Sequence, residues 1–357
     1  MEDKPPTDPL LKTINRLLEV IVLLVVVILV MSYFMINGTP DFYNAEKKKN
    51  ENRSLPIKEK NVLREKGPAL KNPWKAPDTA SLASHPDRKL ILYGRDLIAN
   101  TSKYLGPKGS VSHISNGMNC QNCHLDAGTK LLGNNYGAVF STYPRYRERS
   151  GSVENIYKRV NDCLQRSLNG KPLDSNSKEM AAIKAYISWL GKDVPKGEKP
   201  EGSGIYKLTW LKRAASPDAG KFLYADKCQS CHMKNGEGVK NPDNITWQYP
   251  PLWGDHSYNK GAGILRLSNL AGYIKFNMPF GARVDSILLT DEEAWDIAAY
   301  VNQQSRPGLD LSKDWPEINK KPVDHPFGPY SDGFSEEQHA VGPFGPIKEF
   351  KEKGKEK

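Results

Sequence analysis

The chain has 357 residues, five cysteines and a formal charge of +10, from 51 Lys+Arg against 41 Asp+Glu. A hydrophobic content of 38% with 9% aromatics excludes global disorder, and five cysteines are too few for a disulfide scaffold. Nor is the charge a nucleic-acid footprint: residues 41–75 hold ten Lys/Arg and five Asp/Glu, half of the net excess in one stretch.

From Val20 to Pro40 no residue is charged, and residues 20–36 are almost wholly apolar. With Leu17 and Leu18 the run is about long enough to span hydrocarbon at ~1.5 Å per residue. A cleaved signal peptide would need a small-x-small exit, and Met35-Ile36-Asn37-Gly38-Thr39-Pro40 is a poor one. The expectation is a cytoplasmic segment 1–16, a transmembrane anchor 17–36 and a polar linker 37–77. Basic residues flank the anchor on both sides, so charge alone leaves its orientation open.

Further along, Cys120-Gln121-Asn122-Cys123-His124 and Cys228-Gln229-Ser230-Cys231-His232 repeat the pattern C-x-x-C-H. Two thiols one turn apart can add to the two vinyl groups of one haem, and the adjacent histidine then meets the iron. Zinc could be held by two C-x-x-C pairs, but it gives no reason for a histidine directly after each. Two covalent haem c groups follow, with His124 and His232 as proximal iron ligands. Their attachment places the bulk of the chain outside the cytoplasm, which makes this a single-pass inner-membrane protein with periplasmic haem domains.

The surroundings of the motifs repeat as well. Residues 175–190 and 290–301 both show helical apolar spacing, each with an Ala-Tyr pair (Ala185-Tyr186, Ala299-Tyr300), and Thr290 with Glu293 reads as a capping box. The prediction is all-α: tandem class I cytochrome c-like domains at 78–192 and 212–308, joined by a linker at 193–211. The extension 309–357, rich in Pro, Gly and Lys, reads as wrapping or mobile.

Each iron has a distal face. For the second haem, Met278 in Asn277-Met278-Pro279 precedes the last helix, where class I cytochromes c place a thioether. Lys275 and His256 are rivals, and Met278 could simply fill the core. The first domain has no Met-Pro. Met118 is too near its own motif and Met180 lies within the last helix. Cys163, the odd cysteine, is either a small buried hydrophobe or the distal ligand.

These residues resemble the thiosulfate dehydrogenases, dihaem cytochromes that couple thiosulfate into tetrathionate. The resemblance covers residues from about 85 to 308. It is strongest in 119–128, in Tyr146-Arg-Glu-Arg149-Ser-Gly151 and in Arg159-Val-Asn-Asp-Cys163-Leu-Gln-Arg-Ser167-Leu-Asn-Gly170. It implies His124 and Cys163 as the axial pair of the active-site haem, with Arg149, Arg159 and Ser167 around the substrate. Tyr143, Arg145 and Arg147 fall at the rim. The resemblance further implies electrons leaving through the His232/Met278 haem to an external cytochrome c or other high-potential carrier. The rivals are tetrathionate reduction by the same site and a non-catalytic dihaem electron carrier.

Overall fold

The computed structural model describes residues 9–37 and 66–354. Helix α1 (Pro9–Asn37) forms a unit of its own. Its apolar side chains between Leu17 and Leu29 are exposed at consecutive positions, hence all round the helix. No helix among the described residues is long and apolar enough to cross a membrane. Residues 1–8 and 38–65, which carry much of the expected cytoplasmic segment and linker, lie outside the described residues.

In the second unit two helix crossings set up two cores. Helix α2 (Arg88–Ala99) crosses α4 (Lys178–Leu190) at Gly94, where a Cβ would stand 2.0 Å from the Ala182 carbonyl oxygen and 2.9 Å from Cβ of Tyr186. Helix α5 (Pro217–Lys227) crosses α7 (Asp291–Gln303) at Gly220, with the same approaches to the Asp296 carbonyl oxygen and Tyr300. The Ala-Tyr repeat is thus half of a glycine–tyrosine helix crossing made twice. Ser177 caps α4 through the Met180 amide, and Thr290 with Glu293 closes a capping box on α7.

Between these pairs lie α3 (Ile156–Arg166) in the first domain and α6 (Leu267–Asn277) in the second. Leu97, Ile98, Met118, Met180 and Ile183 belong to one apolar cluster. Leu270, Ile274, Trp295 and Ile297 belong to the other. Met118 and Met180 are packing residues, 4% and 0% exposed.

The architecture is mainly helical but not purely so. Strand β1 (Arg145–Arg147) pairs antiparallel with β2 (Ser152–Glu154), and β3 (Val239–Lys240) with β4 (Trp247–Tyr249). The segments expected as linkers and tail make specific contacts with the folded body. Residues 66–77 belong to the folded body: the Gly67 amide donates to Val284, the Trp74 amide to Glu201, and Trp74 is buried against Gly137. The 193–211 segment touches both domains: its Gly202 and Gly204 carbonyls accept from the Leu132 and Asn134 amides, and its Leu208 enters the second core. The extension after 308 wraps. Asp314 makes a two-pronged ion pair with Arg166 at 2.7 Å, Asp324 binds Arg266 and Ser268, and Phe344 and Ile347 enter the second core. Burial would push the Asp324 carboxyl up, but Arg266 and the Ser268 donors outweigh it and hold it below the usual range.

Candidate active site

The first C-x-x-C-H segment is fixed from behind. Thr101 Oγ1 accepts from the Cys120 amide at 2.9 Å, and Asn119 Oδ1 accepts from both the Ser102 amide and hydroxyl at 2.8 Å. The His124 amide donates to Cys120 one turn back, as His232 does to Cys228 in the second motif. His124 Nδ1 donates to the Asn134 carbonyl at 2.6 Å, which leaves Nε2 as the free lone pair. His232 Nδ1 is held likewise by Pro250 at 3.0 Å. Burial pushes His124 down to about 4, Arg159 adding to the effect while Asn134 opposes it, so the imidazole is neutral.

Cys120, Cys123 and His124 open onto a cavity with about 1300 Å³ of atom-free space, part of it open to solvent. Its opposite wall is α3. Ile156, Arg159, Val160, Cys163, Leu164 and Ser167 recur three and four residues apart, one face of a helix, and all line the cavity. Two thiols and an imidazole nitrogen on one side, a third thiol facing them and apolar walls between make a donor set that fits a haem c. Burial pushes the Cys120 thiol up to about 11 and Cys123 to about 12, so both are neutral thiols before attachment. In the second domain Cys228 and Met278 pack against the same core as Trp253 and Tyr224, and the donor set Cys228, Cys231, His232 and Met278 fits a second haem c. Lys275 is committed elsewhere, its Nζ on the Leu289 carbonyl at 2.6 Å and on Asp291 at 2.9 Å. His256 is exposed, beside Trp247.

Positive charge concentrates at the first cavity. Arg159 makes no side-chain hydrogen bond or ion pair among the described residues. Cys163, then Tyr143, Asp162 and Glu154, hold its guanidinium above the ordinary range against burial. Burial pushes Arg147 down, with Arg159 and Arg145 acting in the same direction. Its counterion Glu154 stands 3.9 Å away.

Arg149 departs from expectation. It sits in the turn between β1 and β2 and leaves the cavity wall, its Nη1 on the Gly261 carbonyl at 3.2 Å and its guanidinium over the Trp315 ring. Burial, then Arg166 and Arg159, push it down to about 10. Tyr143 and Arg145, expected only at the rim, line the cavity, with Arg145 over the Tyr143 ring. Sequence reasoning missed Asn134 and Tyr136. The Tyr136 ring stacks on His124 at 4.5 Å, and both residues lie in a Gly-Asn-Asn-Tyr-Gly turn whose polar run was the available signal.

Residues 111–195 match the family described as SoxA/TsdA, cytochrome c domain, and residues 217–305 match the cytochrome c family. The thiosulfate dehydrogenase of Psychrobacter arcticus is 39% identical over 245 residues, 68% of this chain and 71% of its own. That of Stutzerimonas stutzeri is 33% identical over 234 residues, 66% and 73% of the two chains. That of Allochromatium vinosum is 37% identical over 221 residues, 61% and 78%. Among solved structures, the thiosulfate dehydrogenase TsdBA from Marichromatium purpuratum, in its as-isolated form, is similar with a TM-score of 0.60 and 32% identity. That match covers 66% of this chain and 50% of the solved one, so the chain spans half of that protein's length.

Proposed function

Since this chain belongs to the thiosulfate dehydrogenase family and carries two haem c groups, we propose that it joins two thiosulfates into one tetrathionate: 2 S2O3(2−) → S4O6(2−) + 2 e−. The observation that carries this reading is one cavity lined by His124 and by Arg159, Cys163 and Ser167 of α3 and its C-cap. Each haem, when bound, supplies a one-electron redox centre, and two such centres match a two-electron coupling. His124 and Cys163 would hold the first iron, His232 and Met278 the second.

The chain's own residues deal with charge. Bringing two dianions together costs about 4 kcal/mol per unit pair at ~4 Å and an effective dielectric of ~20. Arg159, unpaired and beside Cys163, offers a planar fork of donors to a sulfonate-type group. Arg145 adds a second cation at the wall and Arg149 a third from behind. Ser167, whose hydroxyl binds no other described residue, is free to donate to a substrate oxygen. The test is direct. Purified holoprotein given thiosulfate and an artificial one-electron acceptor should form one tetrathionate per two electrons delivered. Acceptor reduction without tetrathionate would overturn the reaction as written.

The electron acceptor is an external cytochrome or other high-potential carrier, and the haem domains lie in the periplasm, tethered by the apolar run 17–36. The uncharged sequence from Val20 to Pro40 supports the tether. The expected mature protein sediments with membranes and retains residues 17–36 by mass spectrometry. A mature N-terminus near residue 40 would remove the anchor.

A further inference from the structure

Helix α6 ends directly at Met278, whose amide closes the last turn on Ile274 at 2.9 Å. Tyr273 and Asn277 are four residues apart and therefore share one face of that helix. Both reach across into the first domain. The Tyr273 hydroxyl donates to the carbonyl of Asn122, inside the first C-x-x-C-H motif, at 2.8 Å. Asn277 Nδ2 donates to the Leu132 carbonyl at 3.1 Å and to Tyr273 at 2.9 Å. The two side chains are 7% and 3% exposed. Burial, with Cys123 and Asp126 acting the same way, raises the Tyr273 phenol well above its ordinary range, so it is a neutral donor.

The receiving loop is built for this contact. Leu132 puts its side chain, 2% exposed, into the core of the second domain while its amide donates to Gly202. Two residues on, the Asn134 carbonyl holds Nδ1 of His124. One short loop therefore grips the proximal histidine of the first haem site and the segment that presents Met278. On its other side α6 is fastened by Lys275 to Leu289 and Asp291.

We propose that Tyr273 and Asn277 are positioning residues, a clasp between domains that holds the Met278 segment in its ligating place and ties the distal side of the second haem to the proximal side of the first. This rests on the reading of Met278 as an iron ligand. An incoming ligand can replace Met278 only if residues 277–280 swing away, and the swing must break buried hydrogen bonds whose partners are then left unsatisfied. That cost lowers the apparent affinity for the incomer by the fraction of open molecules.

The test uses ferric holoprotein and imidazole as the competing ligand, followed by loss of the methionine–iron charge-transfer band. Without imidazole the band should be present in Tyr273→Phe and Asn277→Ala. Imidazole should bind the second haem about fivefold more tightly in Tyr273→Phe and about tenfold more tightly in Asn277→Ala, from the typical worth of one or two buried hydrogen bonds. The spectrum of the first haem should stay as it was, which a general loosening of the protein would not leave intact. Met278→Gly is the control. If it lacks the band while both variants bind imidazole with wild-type affinity, Met278 is the ligand and the clasp is refuted. If Met278→Gly keeps the band, the ligand assignment fails and the clasp fails with it.

Discussion

Cys163→Ala is expected to abolish thiosulfate coupling, a loss of at least ~1,000-fold in kcat/KM, while both haems stay covalently attached. The two halves of that result come from different residues. Attachment draws on Cys120, Cys123, Cys228 and Cys231, none of which is on α3. Cys163 lines the same cavity as Cys120 and Cys123 and is the third sulfur of that site. Alanine is the best helix former, so the change keeps the interior turn of α3 intact, and Cys163→Gly serves as a second variant with about 1 kcal/mol of helix propensity given up. The ferric spectrum of the first haem should change, since a thiolate donor that favours the oxidised state is gone, and its potential should rise. The spectrum of the second haem should not change. Wild-type turnover with an unaltered spectrum would make Cys163 a buried packing residue and leave the chain a dihaem electron carrier.

How much of this was legible in the sequence depended on how local the signal was. The C-x-x-C-H motifs and the Thr290–Glu293 capping box act within one or two turns, and their spacing carries their geometry. The repeat was half legible. Tyr186 and Tyr300 stood out as a pair, but Gly94 and Gly220 did not, because a glycine needed for a close crossing looks like any other until its partner helix is known. The contacts of the linkers, and the choice between a wrapping and a mobile tail, were not legible for a related reason. Asp314 lies 148 residues from Arg166 in sequence, and a Pro/Gly-rich composition reports the absence of helix, not the absence of contacts.

Arg149 shows the same limit inside the site. A spacing of fourteen residues before Cys163 gives no direction, and here the β1–β2 hairpin intervenes. The chain reverses between Arg147 and Ser152, which turns Arg149 toward Gly261 and Trp315. Tyr143, just before the hairpin, and Arg145, its first paired residue, reach the cavity instead. The clasp from α6 was invisible for a stronger reason: nothing in Tyr273 or Asn277 marks a partner some 150 residues earlier.

Arg159→Ala is the second large effect, and it should differ in kind from the loss of Cys163. Arg159 holds no position in the fold that alanine cannot fill: it is in the interior of α3 and its side chain bonds to no other described residue. Arg159 is half-buried and makes no ion pair or hydrogen bond among the described residues, while the nearby Asp162 and Glu154 favour its charge against burial, so its removal should leave the melting temperature nearly unchanged. Its value is in compensating substrate charge as the two dianions approach. Losing one such charge-assisted contact in a partly desolvated site is worth about 3 kcal/mol, or roughly 100-fold in kcat/KM, with the ferric spectra of both haems nearly intact. Arg159→Lys keeps the charge but loses the planar fork, and should recover about tenfold of that loss. Stability nearly unchanged, spectra intact and activity down together identify a substrate-binding cation. A fall in melting temperature with activity preserved would instead make Arg159 structural, and Arg145 would become the cation of choice at the cavity wall.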